Sequence, residues 1–491
     1  MSRVPRNRIP FSSGRCSMRS AILSFFLILV ATAAFSEEAA MWGFTTERNM
    51  VSTEKNVPGK WDPETGENIK WKVALGSQTY AGPVIHGGKI FMGTNNQAPR
   101  NPKLVGDRGV IMAFNESDGE FLWQSTHTKL PAGRVNDWPQ QGICSTPFIE
   151  GDRLYYISNR CEVVCLDTEG FFDGENDGEI MTEGDTSAID GDVVWSLDMM
   201  AELDVFPHNL ATCSPIGAGD LLFVVTSNGV DEGHFHIPSL FAPSFIAVNK
   251  NTGKVVWEKS LPGEDILHGQ WSNPTYGMVE GKPQVIFPGG DGWIYSLEPE
   301  TGDLIWKFDC NPKDSEWELG GRGTRNNIIS TPVLYDNKVF IGVGQDPEHG
   351  EGDGHLWAID ATGKGDVTKT SVVWHFGGKD FKRTMSTVSI KDDLLFTADL
   401  SGYVYCLDVE TGKRHWKYDT FAAIWGSTVV IDGKVFIGDE DGDVAVIEAS
   451  KEFKLLYEVN MGSAVYTTPI AKDGVLYIGT RNTLFAIARP E

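Results

Sequence analysis

The sequence predicts an all-β fold: an eight-bladed β-propeller of four-stranded antiparallel blades, its ring closed by pairing of an N-terminal strand with the C-terminal blade. Three observations predict it. A strand–turn–strand unit ending in an aromatic recurs along the chain. A second short segment recurs upstream of each copy. The last copy is incomplete, and its missing strand stands near the N-terminus.

The unit itself comes first. It reads MAFNESDGEFLW ending at Trp123, FIAVNKNTGKVVW at Trp257, IYSLEPETGDLIW at Trp306 and VYCLDVETGKRHW at Trp416. Stretched copies run from Val163 to Trp195 and from Leu356 to Trp374, and a degenerate copy ends at Tyr457. Asp/Glu-x-Thr-Gly closes a hairpin, because its glycine is free to take positive φ. The flanking residues alternate apolar and polar, the period of a strand. A large aromatic at one fixed place in each copy packs between neighbouring sheets.

The upstream segment is a small hydroxyl residue, often followed by Pro, then an apolar strand. It occurs at Pro83, Pro147, Pro215, Pro274, Pro332, Thr387, Thr428 and Pro469. Each leads through a tight turn such as HGGK, YDNK or IDGK into a second strand such as KIFMG or KVFIG. One repeat therefore holds four short strands in meander order, A to D, which is a propeller blade. The last copy, LFAIARPE, ends after strand C, and NIKWKVAL with Trp71 supplies its D strand. Closure in this way removes the exposed edges of an open array.

Ahead of the propeller, Arg19, the apolar run Ala21 to Ala34 and the small residues Ala34 and Ser36 around Phe35 have the form of a signal peptide over residues 1–36. Met18 gives a more compact signal than Met1. The apolar run is shorter than the about 20 residues of a membrane span. The expected organisation is a signal peptide at 1–36, a lead segment at 37–60 and one propeller domain at 61–491. The expected location is periplasmic or extracellular, soluble after cleavage near Glu37. Cys16 precedes the apolar run, so it cannot be a lipid-bearing first residue. The net charge of −25 repels phosphate backbones and argues against a nucleic-acid partner. Of the later cysteines, Cys165 and Cys406 fall at matching places in two repeats and are expected to be core thiols. Cys161 and Cys165 lie about 13 Å apart along one strand, too far to bridge. A pair among Cys144, Cys161 and Cys213 stays open.

Loop length points to one face. In a four-strand blade the A–B and C–D turns leave on one side, the B–C loops and D–A links on the other. The long inserts fall in B–C loops (95–109, 228–244, 344–355) and D–A links (125–143, 199–212, 310–329), and function gathers on such loops. The exception is the acidic, Gly-rich C–D insert 168–192. On the decorated face the expected channel-mouth residues are Arg134, Trp138, His208, Asn209, His268, Gln270, Trp271, Asn273, Arg322, Arg325, Asn326, Lys382, Arg383 and Trp425. Their basic members favour a small anionic ligand; the alternative partner is another extracytoplasmic protein. Metal-ligating candidates are His234 and His236, alternate residues of one strand, and Asp346, Glu348, His349, Asp353 and His355 of one acidic loop. Imidazoles suit zinc, and flexible acidic loops suit calcium. No G-x-S-x-G, H-E-x-x-H or P-loop string is present.

From about Trp61 to the end, the aromatic-bearing D strand after a D-x-x-T-G turn resembles the pyrroloquinoline-quinone (PQQ) type repeat. That repeat is shared by quinoprotein alcohol dehydrogenases and by the BamB-like propeller lipoprotein of the outer-membrane protein assembly machine. The resemblance implies two readings. One is a ligand- or protein-binding scaffold acting through the decorated face. The other is a PQQ-dependent alcohol or sugar dehydrogenase with calcium at the central channel. In the dehydrogenases PQQ stacks on a Trp, a calcium held by carboxylates and Asn lies beside it, an Asp is the base, and a disulfide of adjacent cysteines covers the quinone. Here WSNP at Trp271 to Pro274 resembles the Asn-Pro segment and Arg325 an arginine on the quinone. An adjacent Cys pair and a CxxCH haem motif are missing. PQQ and calcium are thus candidate cofactors that the resemblance implies.

Overall fold

The burial demanded of each strand explains the blade. The structure, a computed structural model, describes residues 39–180, 186–346, 348 and 352–490; the expected signal peptide and His349 lie outside them. In blade 1, strands Val84–His86, Lys89–Asn95, Arg108–Asn115 and Phe121–Thr128 pair antiparallel in chain order. Strands B and C lie between two neighbouring blades, so they read as continuous apolar runs such as VIMAF and are buried on both faces. Strand D stands at the rim and alternates, as in Leu304–Asp309. Blades 2 to 7 repeat this order, and the eighth blade joins Ile470–Lys472, Val475–Gly479 and Thr483–Ile487 to Ile69–Ala74 from the other end of the chain. Trp71 lies opposite Ala486 and Val73 opposite Leu484, so the ring closes as the sequence predicts.

The repeated Trp holds blade to blade. In six blades the indole of the D strand reaches the C–D turn of the next blade and donates to a backbone carbonyl there. Trp71 donates to Glu116 (3.2 Å), Trp123 to Thr168 (3.2 Å), Trp195 to Lys250 (2.9 Å), Trp257 to Pro299 (2.7 Å), Trp374 to Val409 (2.8 Å) and Trp416 to Ser450 (2.9 Å). This explains the glycine of the turn twice over. At Gly119 and Gly412 φ is +75° and +67°, and an added Cβ would stand 2.7 and 2.6 Å from the indole of the preceding blade. Trp306 departs from the pattern and donates to Gln284 Oε1 of its own blade at 3.0 Å. At the degenerate copy, Tyr457 donates to Trp61 O at 2.7 Å, and the fully buried Trp61 ring packs on Tyr457 and Phe436.

The two stretched C–D loops do something not predicted: each reaches back to the outer strand of the preceding blade. Gly365–Asp366 forms a fifth strand of blade 4, parallel to Leu304–Asp309. Asp190 makes a parallel bridge to Gln124 of blade 1. Both cover part of an otherwise open edge.

The lead segment threads the hub of the ring and touches the inner strand, its approach or the turn after it in each blade. Ile85 N donates to Ala39 O (2.9 Å), Ile149 N to Ala40 O (2.9 Å), Tyr276 N to Thr46 O (3.0 Å), Leu334 N to Glu47 O (3.0 Å) and Val430 N to Met50 O (2.9 Å). Asn49 clasps both backbone groups of Ile390, and Glu54 Oε2 accepts from Gly474 N at 3.3 Å. The remaining blade, the third, is held by Arg48, which is fully buried. Its guanidinium donates to the carbonyls of Ser214 (2.9 Å), Pro215 (3.1 Å), Pro274 (3.1 Å) and Trp42 (2.7 Å). Burial lowers its pKa to about 9, so it is charged at neutral pH.

The six cysteines from Cys144 onward are free thiols; five are buried and Cys144 is partly exposed. Cys165 and Cys406 lie in the core. Among the described residues no helix is long and apolar enough to cross a membrane.

Asp291, in the B–C turn of blade 4, gives the fold a pH dependence. It is 1% exposed, its Oδ2 accepts from Tyr295 Oη at 2.6 Å, and its Oδ1 accepts from Trp293 N at 3.1 Å. Burial pushes its pKa up to about 7. The folded chain therefore keeps a proton that the unfolded chain has lost above a pH of about 4. This group's contribution to stability is full below that value and falls as pH rises toward 7. Asp291→Asn is expected to be more stable than the wild type at pH 8, by on the order of 1–3 kcal/mol, and to lose that advantage at pH 4.5. Urea midpoints across this range check it; parallel curves for the two proteins would contradict the assignment.

Candidate functional site

The eight D–A links converge on the axis at one end of the channel. They line a pocket of about 410 Å³ floored by Trp42 of the lead segment. The residue three places before each upstream anchor points into it with one exception: Tyr80, Cys144, Thr212, Trp271, Ile329, Trp425 and Tyr466. In the link between blades 5 and 6 the next residue, Met385, takes that place. Four of these side chains are aromatic. Tyr80 and Tyr466 stack at 5.0 Å between ring centres, and Trp425 meets Tyr466 edge-on at 6.1 Å. Trp138, Asn209, Asn273, Asp346 and Glu348 complete the polar side of the wall.

At the edge of this pocket three imidazoles meet. His208 comes from the link 199–215, His234 from the B–C loop of blade 3 and His268 from the link 260–274. Their nearest ring nitrogens all lie within 4.8 Å of one another. His268 Nε2 is 3.1 Å from His234 Nε2. His268 Nδ1 is 2.7 Å from Asp346 Oδ2, and both side chains are buried. His208 Nδ1 donates to Val230 O at 2.8 Å, and its Nε2 is buried without a hydrogen-bond partner. Burial and the neighbouring His268 hold the His208 pKa down at about 3, so this ring is neutral. The edge of Trp271 covers the group, 5.2 Å from the His268 ring and 6.2 Å from His208. Glu348 Oε2 stands 3.8 Å from His268 Nε2, while its Oε1 accepts from Asn209 Nδ2 at 2.9 Å.

The expected site residues thus divide. Trp138, Asn209, Trp271, Asn273 and Trp425 line the pocket; His208, His234, His268, Asp346 and Glu348 form the cluster beside it. Gln270 is buried and braces Asn228 O and Ser244 Oγ. Asn326 is buried against Asn311. His236 turns outward to Asp231 (3.1 Å), so the His234–His236 pairing does not form; His234 sits at φ +59°, in a turn and not a strand. His355 pairs instead with His375 at 2.9 Å, and Asp353 with Lys382 at 3.0 Å. His349 lies outside the described residues. The basic residues that favoured an anionic ligand do not line the pocket. Arg134 lies over Trp138 and near Glu232, Arg325 faces Asp309, Arg383 reaches Asp346 O, and Arg322 is exposed. Among the described residues lining the pocket there is no Lys or Arg, and the charged ones are the acids Asp346 and Glu348. Sequence reading missed Trp42, Tyr80, Cys144, Met385 and Tyr466. For Tyr80, Cys144 and Tyr466 a signal was available, since the position three residues ahead of the anchor faces the axis; Met385 stands one place later and Trp42 lies outside the repeats.

These residues do not fit PQQ with calcium. The cofactor is a planar tricarboxylate, and the pocket offers rings but no cation to its carboxylates. The two acids that would hold calcium stand beside imidazoles, which calcium does not favour as ligands. Cys144, the pocket's cysteine, is a lone thiol with no adjacent partner.

Fold and pocket together define a PQQ-repeat β-propeller with an aromatic-walled channel mouth. The sequence profile described as outer membrane protein assembly factor BamB matches residues 182–418 and 246–490, and the chain belongs to that family. BamB of Escherichia coli is 22% identical over 344 residues, covering 62% of this chain and 79% of that protein. Tetrathionate hydrolase of Acidithiobacillus ferrooxidans is 25% identical over 229 residues, 42% of this chain and 38% of that enzyme. Polyvinylalcohol dehydrogenase of Sphingopyxis is 25% identical over 258 residues, 45% of this chain and 36% of that enzyme. The match thus spans well under half of each of these two enzymes. Among solved structures, BamB from Moraxella catarrhalis superposes with a TM-score of 0.52 at 15% identity, covering 85% of this chain and 96% of that one. At these identities the structural likeness speaks for the fold alone.

Proposed function

We propose that this chain is an exported binding propeller whose channel mouth takes a neutral, ring-bearing organic ligand. One observation carries the reading: seven of the eight links place the same repeat position on the axis, and four of those positions are aromatic. Aromatic walls with a few polar groups are the usual make-up of a recognition pocket, and flat rings prefer the offset or edge-on partners that Tyr80, Tyr466 and Trp425 provide. The acids of the wall disfavour an anion. Export rests on the basic, apolar and small-residue pattern of residues 1–36. The assembly-factor relatives support a scaffold role for the decorated face around the pocket.

Calorimetric titration with indole tests this. Single-site binding is expected, at least tenfold weaker in Trp425→Ala. Absence of saturable heat, or binding that Trp425→Ala leaves unchanged, would overturn the reading. A parallel titration with PQQ and calcium is expected to show no saturation; tight binding there would restore the quinoprotein reading in place of ours.

A further inference from the structure

We propose that His208, His234 and His268 bind one divalent transition-metal ion of the zinc class, with Glu348 as its fourth and exchangeable donor. The site stands independently of which organic ligand enters the pocket.

The arrangement of nitrogens comes first. Zinc bonds to imidazole of 2.0–2.1 Å place tetrahedral nitrogens about 3.3 Å apart. His268 Nε2 and His234 Nε2 are 3.1 Å apart, and the third nitrogen lies within 4.8 Å of both. The three residues come from three separate segments that share only this meeting point.

Support from behind the rings is in place. A metal-bound imidazole presents one nitrogen to the ion and gives the other to a carboxylate or carbonyl, which sets its tautomer and orientation. Asp346 Oδ2 serves His268 Nδ1 at 2.7 Å, and Val230 O serves His208 Nδ1 at 2.8 Å. Both arrangements turn Nε2 toward the centre of the group. There, His208 Nε2 is buried, 1% of the residue being exposed, and has no hydrogen-bond partner. Buried polar atoms left in that condition call for an explanation such as an unplaced ion. A cation at the centre satisfies that nitrogen and relieves the crowding of three imidazoles whose ring centres lie 4.2–5.0 Å apart.

Glu348 completes the set. Its Oε2 is 3.8 Å from His268 Nε2, and Asn209 Nδ2 holds the other oxygen. Because Glu348 also lines the channel mouth, the fourth position opens onto the pocket. Three imidazoles and one carboxylate select zinc, cobalt or nickel over calcium and magnesium, which prefer all-oxygen shells.

The full exported chain, stripped with a chelator and dialysed, is titrated with Co²⁺ and then with Zn²⁺. One equivalent of Co²⁺ is expected to give the intense visible bands of a tetrahedral ion, and one equivalent of Zn²⁺ to bleach them. His234→Ala, a half-buried loop position, is expected to weaken Co²⁺ at least 100-fold with unchanged circular dichroism. Glu348→Gln is expected to weaken it about tenfold, and His236→Ala to leave it unchanged. Absence of tetrahedral bands, or bands that survive His234→Ala, would mean a metal-free trio of hydrogen-bonded imidazoles and would overturn the proposal. Full affinity in Glu348→Gln would remove Glu348 from the site. None of these readouts involves indole, so failure here and failure of the pocket reading are distinct results.

Discussion

Arg48→Met is expected to destabilise the protein by about 4 kcal/mol or to prevent folding. The guanidinium is fully buried and answers four backbone carbonyls, two from blade 3, one from blade 4 and one from the lead segment itself. Methionine fills similar volume but donates nothing. Each carbonyl then loses its partner without gaining water, at about 1–3 kcal/mol apiece before relaxation. The partners are carbonyls and not a carboxylate, so no unpaired charge is left behind, which keeps the total below the simple sum. Arg48→Lys is expected to fall between the two, since one ammonium cannot span four acceptors in the guanidinium's planar fork. Urea unfolding of the three proteins decides it. A midpoint for Arg48→Met equal to the wild type would show that the hub does not depend on this side chain.

Removing residues 1–75 is expected to abolish soluble, monomeric protein. That truncation takes away the outer strand Ile69–Ala74 and leaves the strand Thr483–Ile487 with an open edge. An unprotected strand edge is a template for pairing with other chains. It also removes the lead segment that bridges the inner strands of the ring. Trp71→Ala isolates one part of this loss. The indole donates to Glu116 O and packs on Gly119 and Tyr477, but it stays partly exposed. A destabilisation of about 2 kcal/mol is expected, below the range for a fully buried tryptophan. Size-exclusion chromatography reads the truncation and urea melts read the point variant. A truncated chain that runs as a stable monomer would refute the role of closure.

The lead segment shows where sequence reading stops. Residues 39–54 carry no strand period, because they run across the inner strands and meet some blades through a backbone group and others through the side chains of Arg48, Asn49 and Glu54. A pattern made of a few hydrogen bonds per blade, with a different residue at each, leaves no repeat to read. The imidazole cluster is a similar case. His234 and His236 sit two apart and suggest a chelating strand, yet His234 lies in a turn, joined to His268, while His236 pairs with Asp231. The partner of His268 is Asp346, 78 positions away in a different blade.

By itself the sequence determined the blades, their number and the closing strand. Strand period, turn chemistry and the docking tryptophan are local patterns repeated at the same place in each copy, and repetition makes a weak local signal readable. Only the tertiary structure decided which side chains share the axis and which three histidines meet. Those meetings follow from ring closure and from the conformations of unrepeated links, where residues distant along the chain become neighbours and no periodic pattern records the contact.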